Sequence, residues 1–200
     1  MTMKHVINKG NNDTTLLLLH GTGGNEHDML PLASLIDSDA NVLSVRGNVS
    51  ENGMPRFFRR IAEGVFDEED LVKRTHELND FITTAAGDNG LNRDKVVAVG
   101  YSNGANIAAS LMYHDKDALN AAILFHPMVP LRNVELPDLS GKKVFIGAGV
   151  NDPISPKQET EELAEALRNA GASVEIYWHQ SGHSLTQDEV QQAAAWYKAL

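Results

Sequence analysis

Five consecutive residues, Gly100-Tyr101-Ser102-Asn103-Gly104, constrain this chain more than any other stretch, because of what flanks them. Before them, Lys95-Val96-Val97-Ala98-Val99 is a short apolar run rich in β-branched residues, the pattern of a buried strand. After them, Ala105, Ile107, Ala108 and Leu111 recur with helical spacing. A serine with glycine two residues to either side, at a strand-to-helix junction, marks a turn so tight that only glycine fits the flanking positions. The hydroxyl is then left exposed at the strand's C-terminal edge, where it can act as a nucleophile.

Strand-like and helix-like runs alternate along almost the whole chain, which predicts an α/β fold: a mainly parallel central sheet flanked by helices on both faces. The runs read as strands are residues 4–8, 14–20, 42–46, 95–100, 121–126, 143–147 and 174–179. Helix starts carry their own punctuation. Asp28 precedes a helix with Pro31 in its first turn, and Asp67 opens a long helix that stacks Leu71, Thr75, Leu78 and Ile82 on one face. Ser155-Pro156-Lys157-Gln158 and Thr186-Gln187-Asp188-Glu189 have capping-box patterns, and Gly171 closes the first of these two helices. A length of 200 residues with 42% hydrophobic content suits one domain over residues 1–200. The one long irregular stretch, from Gly47 to Phe66, reads as a cover or binding loop at 48–66.

Composition removes several classes of function. A formal net charge of −10 argues against nucleic acid and anionic lipid, which need clustered positive charge. The absence of cysteine removes disulfides, thiolate metal sites and a cysteine nucleophile. The first ten residues lack the apolar core of a signal peptide, and Leu16-Leu17-Leu18-Leu19 is far short of a membrane span. The expectation is a soluble, cytoplasmic protein.

An activated serine needs a base, the base needs an orienting acid, and the developing oxyanion needs donors. In the elbow arrangement the order along the chain is serine, acid, histidine. Among the carboxylates after Ser102, only Asp152 directly follows a buried strand and precedes a helix; the competing reading is a turn aspartate before Pro153. Of the eight histidines, His5, His20, His27, His76 and His114 fall before or within the serine unit, and His126 precedes Asp152. His183, in the loop Gln180-Ser181-Gly182-His183-Ser184, has the freedom to reach the strand ends. His179 and His183 also have ligand-like spacing, but no third metal ligand can be named, so no metal is expected. The Asn103 N–H supplies one oxyanion donor, and Thr22, in the loop His20-Gly21-Thr22-Gly23-Gly24 after a buried strand, supplies the second. A phosphate-cradling role for that loop lacks the usual Lys-Ser/Thr pair. His20 is expected to brace the loop.

These motifs, with Leu19-His20-Gly21-Thr22-Gly23-Gly24, Gly149-Val150-Asn151-Asp152-Pro153 and Ser181-Gly182-His183, resemble the α/β-hydrolase superfamily over essentially the whole chain. The resemblance is closer to its carboxylesterase/phospholipase branch, which includes acyl-protein thioesterases. Arg46-Gly47 and the run from Glu51 to Phe58 are similar to a bacterial subgroup, some of whose members are associated with quinone stress. The resemblance implies a small-molecule ester or thioester substrate, no cofactor and often a homodimer. Many thioesterase-type members have glutamine where this chain has Asn103. Dienelactone-type hydrolysis with a cysteine nucleophile is excluded.

In the 48–66 segment, Arg56, Arg59 and Arg60 either bind an acidic substrate group or form a solvated face balanced by Glu63, Asp67, Glu68 and Glu69. Phe57, Phe58 and Phe66 either line an acyl pocket or anchor the loop. The reading is therefore a serine hydrolase with the triad Ser102, Asp152 and His183, an oxyanion hole of Thr22 and Asn103, and substrate contacts from Arg56, Phe57 and Phe58. The alternative is a small-ligand-binding protein that kept the fold and lost turnover.

Overall fold

The apolar runs are spaced so that alternate side chains of each buried strand feed two separate cores. Leu17 and Leu19 join one with Ala98 and Ile146, whereas Leu16 and Leu18 join the other with Val97, Val99 and Phe145. The structure, a computed structural model, describes residues 2–200. Its seven-stranded sheet is ordered β1-β3-β2-β8-β9-β10-β11, from β1 (His5–Asn8), β2 (Thr15–Leu19), β3 (Asn41–Val45), β8 (Val96–Tyr101), β9 (Ala121–Phe125), β10 (Lys143–Gly149) and β11 (Ser173–His179). Every pairing is parallel except that of β1 with β3. Both faces of the inner strands are covered, which explains continuous runs such as Leu16–Leu19.

Helices α2 (Glu68–Asn89), α3 (Asn103–His114) and α4 (Lys157–Asn169) close one core with Leu71, Leu78, Ile107, Leu111, Leu163 and Leu167. Helices α1 (Leu30–Ile36) and α5 (Gln187–Lys198) close the other with Ala33, Ile36, Val190 and Ala193. Strand order reverses between β2 and β8, so the loops leaving their C-terminal ends diverge and open a crevice, the usual ligand position in such sheets. No helix among the described residues is long and apolar enough to cross a membrane.

Two expected caps are formed. Asp67 accepts from the Asp70 N–H at 3.0 Å, and Thr186 and Glu189 make the reciprocal capping box of α5. Two others are spent elsewhere. Asp28 binds the backbone and side-chain amides of Asn25, so α1 starts from Met29 without a side-chain cap. Ser155 donates its hydroxyl to the His126 carbonyl at 3.0 Å, and α4 starts from Pro156 uncapped. The stretch expected to be irregular is two short antiparallel hairpins, β4 (Val49–Glu51) with β5 (Met54–Arg56) and β6 (Arg60–Ala62) with β7 (Val65–Phe66). Neither shows the strict alternation of a strand buried on one face, because each is only two or three residues long.

Candidate active site

Strand β8 ends in Tyr101, and Ser102 begins the turn into α3 at φ 52°, ψ −113°. The turn forces backbones together. A Cβ on Gly104 would fall 1.9 Å from the Leu19 carbonyl oxygen, and one on Gly100 would fall 2.6 Å from that of Gly104. Both glycines of the motif are therefore required by space. A residue other than glycine at positive φ is uncommon, and such outliers cluster at functional sites.

Three loops from separate strand ends converge here. Ser102 Oγ lies 2.9 Å from His183 Nε2, and His183 Nδ1 lies 2.7 Å from Asp152 Oδ2. The other carboxylate oxygen of Asp152 accepts the N–H groups of Ile154 and Ser155 at 2.8 and 2.9 Å. Burial opposes ionisation of Asp152, but the Ser155 N–H, the imidazoles of His126 and His183 and the Ile154 N–H outweigh it. They hold its pKa below the usual carboxylate range. An ionised carboxylate only accepts, so the His183 proton sits on Nδ1, and Nε2 is left to accept from the serine hydroxyl. The His183 loop is fixed by its neighbours: Tyr101 O–H donates to the His183 carbonyl at 2.6 Å, and the Gly182 N–H donates to Asn151 at 3.0 Å.

Thr22 and Asn103 both line the small cleft beside Ser102, with Arg56, Phe66, Asn106 and Met128; its volume is about 40 Å³. Asn103 is the first residue of α3, so its N–H is one of the donors a helix start leaves without an internal partner. In the Thr22 loop, the N–H groups of Gly23 and Gly24 are taken by the carbonyls of Pro55 and Gly21. His20 braces this loop. Its Nε2 accepts from the Gly47 N–H at 3.0 Å, so its proton is on Nδ1 and donates to the Gly21 carbonyl at 2.6 Å. Burial lowers its pKa and favours that neutral form. A wider groove of about 490 Å³ opens on the other side of the Thr22 loop, lined by Gly21, Gly23, Leu32, Tyr101 and Leu185.

The expected substrate contacts need correction. Phe57 and Phe58 are 1% and 0% exposed and belong to the core, where Phe57 packs on the His20 ring and Phe58 on Phe66. Neither lines the cleft. The reason is that the Asn103 side chain accepts the Phe57 N–H at 2.7 Å and pulls this segment down onto α3. Arg56 does reach the cleft wall, but its guanidinium is engaged, donating to Thr22 Oγ1 at 2.6 Å and to the Phe58 carbonyl at 3.1 Å. It ties the β4–β5 hairpin to the Thr22 loop. Arg59, by contrast, is exposed and faces Asp67 and Asp70, as the solvated-face reading expects. We expect Phe57→Ala and Phe58→Ala each to destabilise the fold by about 3–5 kcal/mol and to reduce activity on all esters alike, measured by thermal unfolding and by rates on a chain-length series.

The sequence alone gives Tyr101, His126 and Glu189 no role beside Ser102. His126 is out of order for a base, although its place at a strand end beside the serine strand is a usable signal. Two groups of ligand-type side chains converge among the described residues, His126 with His179 and Glu189, and His126 with Asp152 and His183. Hydrogen bonds account for both. The Ser181 N–H donates to His179 Nδ1 at 3.0 Å, which leaves the His179 proton on Nε2, the atom a metal would need bare.

A serine on an elbow, at the crevice of a mostly parallel sheet and within reach of a histidine and a buried aspartate, defines the α/β-hydrolase class. The model of the dienelactone hydrolase family matches residues 48–199, and the chain belongs to that family. It is 63% identical over 196 residues to MhqD, a candidate hydrolase of Bacillus subtilis (strain 168), covering 98% of each chain. The crystal structure of a carboxylesterase from Bacillus cereus is 59% identical and superposes with a TM-score of 0.97, over 98% of this chain and 94% of that one. Acyl-protein thioesterase 1 of Cryptococcus neoformans is 28% identical over 173 residues, covering 76% of this chain and 73% of that protein. The protein is a carboxylesterase-type hydrolase acting on small-molecule esters.

Proposed function

We propose that this protein hydrolyses esters of short, uncharged or mildly polar acyl groups through a Ser102–His183–Asp152 triad and an acyl-enzyme, within one domain spanning the chain. The observation that carries the reading is the continuous relay from Ser102 Oγ to His183 at 2.9 Å and from His183 to Asp152 at 2.7 Å. Ser102 Oγ attacks the carbonyl carbon as its proton passes to His183 Nε2, and the carbonyl π-electrons move onto oxygen. The N–H groups of Thr22 and Asn103 bind that oxyanion. Its collapse expels the alkoxide, which takes the proton from His183. Water, deprotonated by the same imidazole, then attacks the acyl-serine and releases the acid, returning the proton to Ser102. Asp152 holds the proton-bearing face of His183 and stabilises the imidazolium formed twice per cycle.

Size supports the choice of acyl group. The 40 Å³ cleft beside Ser102, floored by α3 and walled by Phe66 and Met128, accommodates a short acyl chain, and the 490 Å³ groove beyond Thr22 accommodates a larger and more varied alcohol. The cover at 48–66 contributes the Phe66 wall. A p-nitrophenyl ester series tests this reading. Acetate and propionate should be preferred, and Phe66→Ala should move the optimum to longer chains, each added buried methylene contributing about 0.8 kcal/mol. A wild-type optimum at eight or more carbons would refute the small-acyl reading. Rates should also rise with pH through a single ionisation, since only neutral imidazole can take the Ser102 proton and free histidine titrates at about 6.5. A flat profile between about pH 5 and 8 with chemistry limiting would exclude a histidine base.

A further inference from the structure

Asp152 carries a second imidazole that the reaction above leaves without a task. His126, immediately after β9, is completely buried, and its Nδ1 lies 2.9 Å from Asp152 Oδ2, the same oxygen that His183 Nδ1 reaches at 2.7 Å. Its other ring nitrogen lies 3.3 Å from Oε2 of Glu189, a carboxylate that is also completely buried. The backbone is shaped to hold this pair. His126 has φ 55°, the left-handed region, and is pinned there by its N–H to the Gly147 carbonyl at 2.7 Å and by the Ser155 hydroxyl on its own carbonyl at 3.0 Å. A Cβ on Gly147 would fall 2.1 Å from Glu189 Oε1, so β10 carries a glycine where the carboxylate sits. Strained backbone persists where the surroundings over-determine it.

We propose that His126, held as an imidazolium between Asp152 and Glu189, is a positioning residue for ester hydrolysis that fixes Asp152 and tempers its charge, thereby setting the basicity of His183. The inference rests on the triad reading above. Each ring nitrogen of His126 faces a carboxyl oxygen, Oδ2 of Asp152 at 2.9 Å and Oε2 of Glu189 at 3.3 Å, the geometry of an imidazolium that donates on both sides. Burial opposes that charge, but Glu189 and Asp152 outweigh it and raise the pKa of His126. The other groups facing it are His179 at the end of β11, whose Nε2 lies 3.3 Å from its own, and the rings of His183 and Tyr101 at 5.1 and 5.9 Å. A cation beside Asp152 reduces the pull of that carboxylate on the His183 proton, so the base stays free at lower pH.

The test is the pH dependence of kcat/KM on p-nitrophenyl acetate for His126→Asn and Glu189→Gln. The first keeps an N–H toward Asp152 without the charge, and the second removes the charge that holds the second proton. Both should move the acidic limb upward by about 1 pH unit, lowering kcat at neutral pH more than they change KM, and the double variant should move it no further. A loss of activity or stability with the limb unmoved would overturn the proposal. Should the variants not fold, 15N NMR of the wild-type protein labelled in histidine decides. Protons on both ring nitrogens of His126 at the pH of activity support the imidazolium, and a bare Nε2 refutes it. Failure here is distinct from failure of the triad: a Ser102-dependent enzyme with an unmoved limb loses only the role of His126.

Discussion

Ser102→Ala should lower kcat on every ester the protein hydrolyses by at least about 10³-fold while leaving the melting temperature nearly unchanged. The change removes one oxygen whose neighbour in the fold is His183 Nε2 at 2.9 Å. The backbone at φ 52° is already adopted by a residue with a Cβ, so alanine adds no strain that serine lacks. Whatever activity remains comes from water activated by His183 and from the oxyanion donors. Steady-state kinetics with thermal unfolding on the same preparation would check both halves. A variant retaining most of its activity would remove Ser102 as nucleophile.

Asp152→Asn and His183→Ala should each fall nearly as far, roughly 10³- to 10⁴-fold in kcat, and their combination should add little. The non-additivity follows from the relay. Without His183 there is no base for Asp152 to orient, and without an ionised Asp152 the imidazole loses the acceptor that keeps its proton on Nδ1. An asparagine amide aimed at His183 Nδ1 would favour the opposite tautomer and aim an N–H at Ser102. Asp152→Asn should also lower stability, because His126 would lose a buried charged partner. Full additivity in the double-mutant cycle would show that one of the two works outside the unit.

The sheet was legible because its strands are buried on both faces and so appear as uninterrupted apolar runs. The convergence of Ser102, Asp152 and His183 was legible because each sits where a strand ends, a position that sequence marks with glycine and proline. What escaped was decided by tertiary competition for polar groups. Ser155 and Asp28 have the sequence of helix caps, yet the His126 carbonyl and the Asn25 amides claim them. Phe57 and Phe58 resemble a pocket wall in a segment rich in polar residues, but the bond from the Phe57 N–H to Asn103 turns them into the core. Glu189 was legible as the third residue of a capping box, and nothing local signals that the same carboxylate reaches a histidine 63 positions earlier. The reason for asparagine at position 103 lies in the 48–66 segment, whose Phe57 N–H its side chain accepts.

The most direct test of the account is covalent labelling with a fluorophosphonate, because only a serine activated by its base attacks the phosphorus and displaces fluoride. Peptide mapping by mass spectrometry should locate one adduct per chain on Ser102, and His183→Ala should abolish it although the serine is still present. No adduct on a protein that hydrolyses esters, or an adduct on a different residue, would contradict the account.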